Sequence, residues 1–436
     1  MGNQFSRNCA KIKSIPINDN HKRERKMAHI GTIVIYIIMA CAIAGAIASI
    51  RDSEKGLGKE FIEGLHSIGP IFIPVAGIMA SIPFLSSFIS IMVEPLFHAL
   101  GADPALAATT IISADMGGYQ LAKALAQSPD GWIMATITGF MAGATIIFSI
   151  PVGLAMLEKK DHKYMALGIM SGILSIPVGV FIASISIMMF DVGIRPDVSA
   201  TGDAVQKTTL SLRVILQNIS PLIIFCVAIA GGLKFFPNQM ITGFLWFGRI
   251  MYAAITLVLV FSIVEYFTSI FSTLFGKWSF APIIADEEDQ FRALEVAGAI
   301  GIMLSGAFPM VYLINKFLAV PMEKFGRKVG LSPVGAAGLL AASANILAMF
   351  RLVRDMRPKD KVLVIAFAVC AAFMFGDHLA FAANFQPSII LPLLLGKIGG
   401  GAFAFAIALW LSVPKAEELE RAVNAAQLKT VNACAV

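Results

Sequence analysis

SADMGGYQLAK, residues 113–123, lies between the apolar stretches LAATTII (106–112) and ALA (124–126). Its setting decides what kind of protein this is. In a soluble chain the segment is an ordinary turn. If its flanks are membrane spans, an aspartate, a glycine pair and a lysine stand at membrane depth, where they are poor helix material.

Composition favours the membrane. Of the 436 residues, 57% are hydrophobic and only 14% charged, where a soluble domain carries about a quarter charged residues. Mean hydropathy is +0.78. Apolar runs of about 20 residues recur along the chain, the mark of an all-α polytopic membrane protein. A membrane β-barrel would alternate apolar and polar residues, and this chain does not. The net charge of +6 fits cytoplasmic loops and contact with membrane lipid. No basic patch is interleaved with aromatics, so nucleic acid is not expected. The five cysteines form no CxxC pair, and a disulfide framework is not expected.

About 11 transmembrane helices are expected, near 28–50, 68–96, 104–126, 131–157, 164–190, 214–234, 243–273, 294–318, 332–352, 362–384 and 388–412. Residues 1–27 read as a cytoplasmic basic N-terminal extension, 28–412 as the transporter domain, and 413–436 as a polar, disordered tail.

Internal echoes run through this domain. GIMAS at 77–81 returns as GIMLS at 301–305, SAD at 113–115 as SAN at 343–345, and ALGIMSGI at 166–173 as LLGKIGGG at 394–401. Pro95, Gly101 and Pro104 return as Pro321, Gly330 and Pro333, and every displacement lies between 224 and 230 residues. Two repeated halves follow, about 66–190 and 292–412, with broken or re-entrant helices. Transporters of this kind place their site at the repeat interface. Six full spans between equivalent points make the repeat parallel, whereas one re-entrant segment per half makes it inverted. The basic clusters EKKDHK (158–163), KFGRK (324–328) and RLVRDMRPKDK (351–361) do not all fall inside if every segment spans the membrane.

Polar residues at membrane depth mark the candidate site. Asp115, Gly117, Gly118, Tyr119 and Gln120 stand in the first half. Asn345, Gly376, Asp377, His378, Phe381 and Asn384 stand in the second. A charge at the bilayer centre costs at least about 2.5–3.5 kcal/mol, so two aspartates there need a wet cavity, a counter-cation or a guest. Glycine opens a helix and frees backbone groups to meet a ligand. Asp115 and Lys123 are two turns apart, too far to pair in an unbroken helix; Lys123 is expected to snorkel to the interface. Aromatic faces such as Phe381 suit a cation. Gly139-x-x-x-Gly143 and Gly396-x-x-x-Gly400 suit close helix packing.

Several chemistries find no motif. The chain has no Walker A sequence, no HExxH and no Cys/His cluster with metal spacing. The GxGD pattern of intramembrane aspartyl proteases needs glycine where Met374 stands. Neither cofactor nor metal is expected, and the chain does not read as an enzyme.

ADMGGYQLAK (114–123), IIFSIPVGL (146–154), GAFPMV (306–311), SANILAMF (343–350), FGDHLAFAAN (375–384) and LGKIGGG (395–401) together resemble the ethanolamine permease family of bacterial ethanolamine-utilisation operons. The resemblance runs from about residue 30 to about 412. It implies ethanolamine uptake through a multi-pass protein of the cytoplasmic (inner) membrane. The residue types agree: the aspartates suit an ammonium and the asparagines a hydroxyl. Facilitated diffusion by alternating access is the expectation. A proton-coupled carrier of another small polar amine, or a channel, stays open as an alternative, as does a homo-oligomer.

Overall fold

Serine followed by proline opens helices in both halves. The Ser128 hydroxyl accepts from Gly131 N (2.9 Å) ahead of Pro129, and the Ser332 hydroxyl from Gly335 N (3.1 Å) ahead of Pro333. Each serine satisfies an orphan amide, and the proline at the first helical position has no amide to waste. The computed structural model describes residues 19–276 and 279–434. Among them helix is the only regular element, apart from an isolated antiparallel bridge between Ile194 and Gln206.

Helices α1 (Asp19–Arg51), α2 (Gly56–His66), α3 (Ile68–Ala80), α4 (Ile82–Met92) and α5 (Glu94–Ala99) come first. Next are two short helices, α6 (Ala105–Ile111) and α7 (Gly118–Leu125). Helix α8 (Pro129–Thr138) passes through a π-helical stretch, Gly139–Ser149, into α9 (Ile150–Met156). The chain continues as α10 (His162–Ile173), α11 (Ile176–Phe190), α12 (Leu212–Phe235), α13 (Pro237–Thr268), α14 (Ile270–Phe275) and α15 (Ala293–Lys328). It ends with α16 (Pro333–Ala344), α17 (Ile346–Val353), α18 (Pro358–Ala371), α19 (Asp377–Phe385), α20 (Ile390–Leu411) and α21 (Val413–Cys434).

Eight of the helical rods are long and apolar enough to cross a membrane, so the protein is a helical, multi-pass membrane protein. Of the expected spans, 68–96 is displaced, crossing as Gly56–Ala80 with α4 a separate short helix, and 104–126, 332–352 and 362–384 are broken. Two of them turn back. Asp103 caps α6 through Ala105 N (3.0 Å) and also accepts from Gln127 N beyond α7 (3.0 Å), so both ends of the α6–α7 segment meet. Asp360 accepts from Ser332 N (3.3 Å), and Arg357 donates to Gly330 O (3.0 Å), so both ends of the α16–α17 segment meet as well. The third, α18–α19, crosses with an interruption at 372–376.

The two hairpins enter from opposite ends of the bundle. Five crossings separate their mouths: α8–α9, α10–α11, α12, α13 and α15. The first mouth bonds to the start of α12 through Asp103 N and Asn218 Oδ1 (2.7 Å). The second is tied to the start of α10 by Lys361 and Asp161 (2.6 Å). This geometry gathers all three basic clusters, 158–163, 324–328 and 351–361, at the second mouth. The acidic run Asp286–Asp289 lies at the opposite end, beside the start of α15.

Two boundary readings change. The tail after Pro414 is not disordered but helical as α21. AEELERAVNAAQLK is built of strong helix formers, and Ala416 is buried against the bundle, which polarity alone conceals. The basic extension also divides. Residues 1–18 lie outside the described residues, while Asp19 to Met27 form the first turns of α1. Gly31 of that helix packs against the Pro387 carbonyl, just past the end of α19. The start of α1 and the three basic clusters are therefore at opposite ends, and they do not share a cytoplasmic side.

Glycines draw the central helices together. A Cβ on Gly400 would lie 3.0 Å from Gly179 Cα, and one on Gly396 2.7 Å from Gly179 O. The Gly396-x-x-x-Gly400 pattern thus packs α20 on α11 within the fold.

Candidate substrate site

The tip of the first hairpin aims Asp115 inward. After α6 the chain extends through Ser113, makes a 3-10 turn over Ala114–Met116, and passes Gly117 at φ +91° into α7. That left-handed position suits glycine, and a Cβ there would lie 2.8 Å from Ile78 Cγ2. Gly118 is equally constrained, since a Cβ would lie 2.8 Å from Ile112 O. Met116 N and Gly118 N both donate to Ser113 O (3.1 and 3.0 Å). The glycine pair therefore makes the turn, and the Gly118 amide serves the turn itself. Asp115, buried, accepts from the Ser113 hydroxyl.

The interruption between α18 and α19 supplies the facing wall. Two of its amides are satisfied by the second hairpin: Phe373 N donates to Ala342 O (3.2 Å) and Phe375 N to Ser343 O (3.0 Å). Gly376 lies so close to the Ala344 carbonyl that a side chain has no room. Helix α19 then begins with Asp377, whose carboxylate stands at the positive end of the helix. Among the described residues its side chain has no hydrogen-bond or ion-pair partner. Asp377 is the chain neighbour of His378, which faces Asp115. His378 Nε2 lies 3.7 Å from Asp115 Oδ1. The imidazole is held between Phe140 and Phe373, at 5.0 and 5.1 Å between ring centroids, and its buried Nδ1 has no partner.

A third charged group completes the cluster. Lys397, 1% exposed, extends from the middle of α20. Its Nζ donates to Phe140 O (2.9 Å), Cys370 O (3.0 Å) and Ala372 O (2.9 Å). An ammonium has three donors, and all three are used. Lys397 is joined to His378 through Phe140, whose carbonyl accepts from the ammonium and whose ring packs on the imidazole. With both carboxylates and the ammonium ionised, the cluster carries one net negative charge, a match for one monovalent cation. Sequence reasoning missed this lysine, although its position between Gly396 and Ile398 in an apolar helix is the same signal that singles out the aspartates.

The remaining candidates occupy other places. The Asn345 side chain caps α17 through Leu347 N (2.8 Å). Asn384 Nδ2 donates to Ala299 O (2.9 Å) and Ala380 O (3.0 Å), which fastens α19 to α15 two turns from Asp377. Tyr119 accepts from Gln386 Nε2 (2.9 Å) and packs edge-on against Phe381 (5.4 Å), whose ring also meets Phe140 (5.8 Å). The Gln120 amide is buried with neither end bonded. Lys123 reaches the surface, where it bonds to Pro196 O and lies 4.3 Å from the Trp132 ring centroid. Among the described residues no group of three or more His, Cys, Asp or Glu is placed to hold a metal.

The two ends of the bundle differ. On the first-mouth side Arg195 donates to the carbonyls of Asn384, Phe385, Ser199 and Gly202, and Gln386 is clasped by the backbone of Arg195. On the second-mouth side a cleft of about 360 Å³ runs between α15 and α16, from Glu323 past Asn315 to Ala341. Ala341 is next to the carbonyl that holds Phe373.

Comparison with known proteins finds relatives along most of the chain. The family model described as "Ethanolamine utilisation protein, EutH" matches residues 30–411. A Listeria monocytogenes protein named "Probable ethanolamine permease EutH" is 36% identical over 384 residues, which cover 88% of this chain and 94% of that protein. The Escherichia coli protein of the same name is 35% identical over 410 residues, with 88% and 96% covered. That of Salmonella typhimurium is 35% identical over 425 residues, with 92% and 98% covered. No solved structure matches the chain.

Proposed function

The chain belongs to the EutH family of ethanolamine utilisation proteins, and from that premise we propose that it carries ethanolamine, as its ammonium cation, across the cytoplasmic membrane by alternating access without ion coupling. Its function is ethanolamine transport, and the proposal concerns how the transport occurs. The observation that carries it is the approach of His378 to Asp115 (3.7 Å), which brings the start of α19, with Asp377 at its first position, to the hairpin tip. With the buried Asp115, the half-buried Asp377 and the buried Lys397 ammonium all ionised, the cluster lacks one positive charge. A protonated amine supplies it, whereas a neutral or anionic solute does not.

The hydroxyl of the guest falls to His378. Its Nδ1 is buried and unpaired, and an unmet buried polar atom costs about 1–3 kcal/mol until a partner arrives. The asparagines suit this task less well, because Asn345 Oδ1 and Asn384 Nδ2 already have backbone partners.

The two halves serve as inverted repeats, each with one hairpin, around this central site. The end that carries the basic clusters faces the cytoplasm. The cleft between α15 and α16 opens at that end, and Arg195 braces the other. Reconstituted protein tests the mechanism. Labelled ethanolamine is expected to show saturable counterflow and to stop at equilibrium under a proton or sodium gradient. Accumulation driven by either gradient contradicts uniport, and ohmic current contradicts a carrier.

A further inference from the structure

Phe140 and Cys370, two of the residues whose carbonyls accept from Lys397, are 230 residues apart, the displacement that relates SAD to SAN. The Nζ therefore joins backbone at echoed positions of the two halves. One carbonyl comes from the π-helical stretch and two from the end of α18, so each comes from a place where regular α-helical bonding lapses. The lysine has no echo of its own, because the match of ALGIMSGI to LLGKIGGG sets Ile169 opposite it. A single cation thus stands at the seam of two otherwise matched halves.

Carbonyls freed at interrupted helices are the means by which membrane transporters hold a monovalent coupling ion. Here they hold an ammonium that is covalently part of α20. We propose that Lys397 is a tethered cation that permanently fills an ion site at the seam between the halves, so that the substrate ammonium enters Asp115 and Asp377 without a co-transported ion. The proposal rests on the uniport reading above and gives it a cause. Without the lysine, the three carbonyls lose their donors and the two carboxylates lose their resident counter-charge. The empty place then takes a free monovalent cation, and uptake comes to depend on it.

The test compares wild type, Lys397→Ala and Lys397→Arg in proteoliposomes bathed in sodium, potassium or N-methylglucamine salts. Wild type is expected to transport equally in all three. Lys397→Ala is expected to fall about tenfold or more in N-methylglucamine and to regain most of that in sodium or potassium. Lys397→Arg, which keeps a charged donor group, is expected to remain cation-independent. A thermal-shift titration of purified Lys397→Ala gives a second readout: sodium or potassium stabilises it and leaves wild type unchanged. Wild-type uptake by Lys397→Ala in N-methylglucamine overturns the proposal. So does a folded Lys397→Ala that is inactive in every salt and gains no stability from any, or a Lys397→Arg that acquires sodium dependence. If only the uniport reading fails, wild type accumulates ethanolamine on an ion gradient, while the thermal shift of Lys397→Ala still reports on the tethered cation. A Lys397→Ala that does not fold leaves Lys397→Arg as the deciding variant.

Discussion

Lys361 Nζ donates to Asp161 Oδ1 at 2.6 Å, and both side chains are buried. The contact joins the start of α18 to the start of α10, and with it the basic segments 351–361 and 158–163. The second hairpin brings in 324–328 by returning the chain to the end it left. Three clusters that conflict in a chain of eleven full spans then agree with the positive-inside rule.

Topology is the first prediction. In a background without native cysteines, single cysteines at Lys159, Arg327 and Lys359 are expected to react with an impermeant maleimide from the cytoplasmic side. Cysteines at Asp203 and Glu288 are expected to react from the opposite side. Labelling of the Lys359 position together with that of Asp203 refutes the hairpin.

The same ion pair makes a stability prediction. Lys361→Met leaves Asp161 as a lone buried charge, and breaking such a pair costs about 3–5 kcal/mol. Adding Asp161→Asn to it is expected to recover much of the loss, as read by unfolding of the detergent-purified protein. An undiminished loss in the double variant shows that the pair is not what holds the two helices.

The turn at Gly117 makes a third. Gly117→Ala forces a side chain to φ +91° and toward Ile78, a left-handed position that costs about 1–2 kcal/mol before any clash. Since this turn aims Asp115, uptake is expected to fall along with stability. Gly243→Ala in α13, where nothing lies within 4 Å, is the control and is expected to be neutral or slightly stabilising. Equal behaviour of the two variants contradicts the account.

His378 separates hydroxyl recognition from charge recognition. His378→Ala is expected to raise KM for ethanolamine about tenfold, near 1.4 kcal/mol, and to leave inhibition by ethylamine, which lacks the hydroxyl, almost unchanged. A parallel loss for both amines assigns the histidine to packing between Phe140 and Phe373.

Much of this was legible in the chain. Apolar runs announced the spans, and Asp115, Asp377 and His378 stood out because charge and imidazole are costly in lipid. Sequence also marks two of the interruptions, at Gly117-Gly118 and at Gly376, because glycine opens an apolar helix; it marks neither the break at Asn345 nor the π-helical stretch Gly139–Ser149. It did not show which interrupted segments turn back. That depends on Asp103 meeting Gln127 and on Asp360 meeting Ser332, contacts that no local pattern encodes. Asn345 looked like the partner of Asp115 by position, yet a short asparagine after Ala344 caps the next helix more readily than it reaches a guest. Lys397 was hidden by its neighbours: set among glycines in a packing motif, it read as part of the repeat and not as a third charge.

The most direct test is the uptake of labelled ethanolamine by proteoliposomes carrying Asp115→Asn or Asp377→Asn. Each substitution removes a carboxylate from the ammonium, and charge-assisted hydrogen bonds are worth about 1.5–3 kcal/mol. Each variant is expected to lose about ten- to a hundredfold in kcat/KM while keeping wild-type stability. Wild-type uptake in both variants contradicts the account.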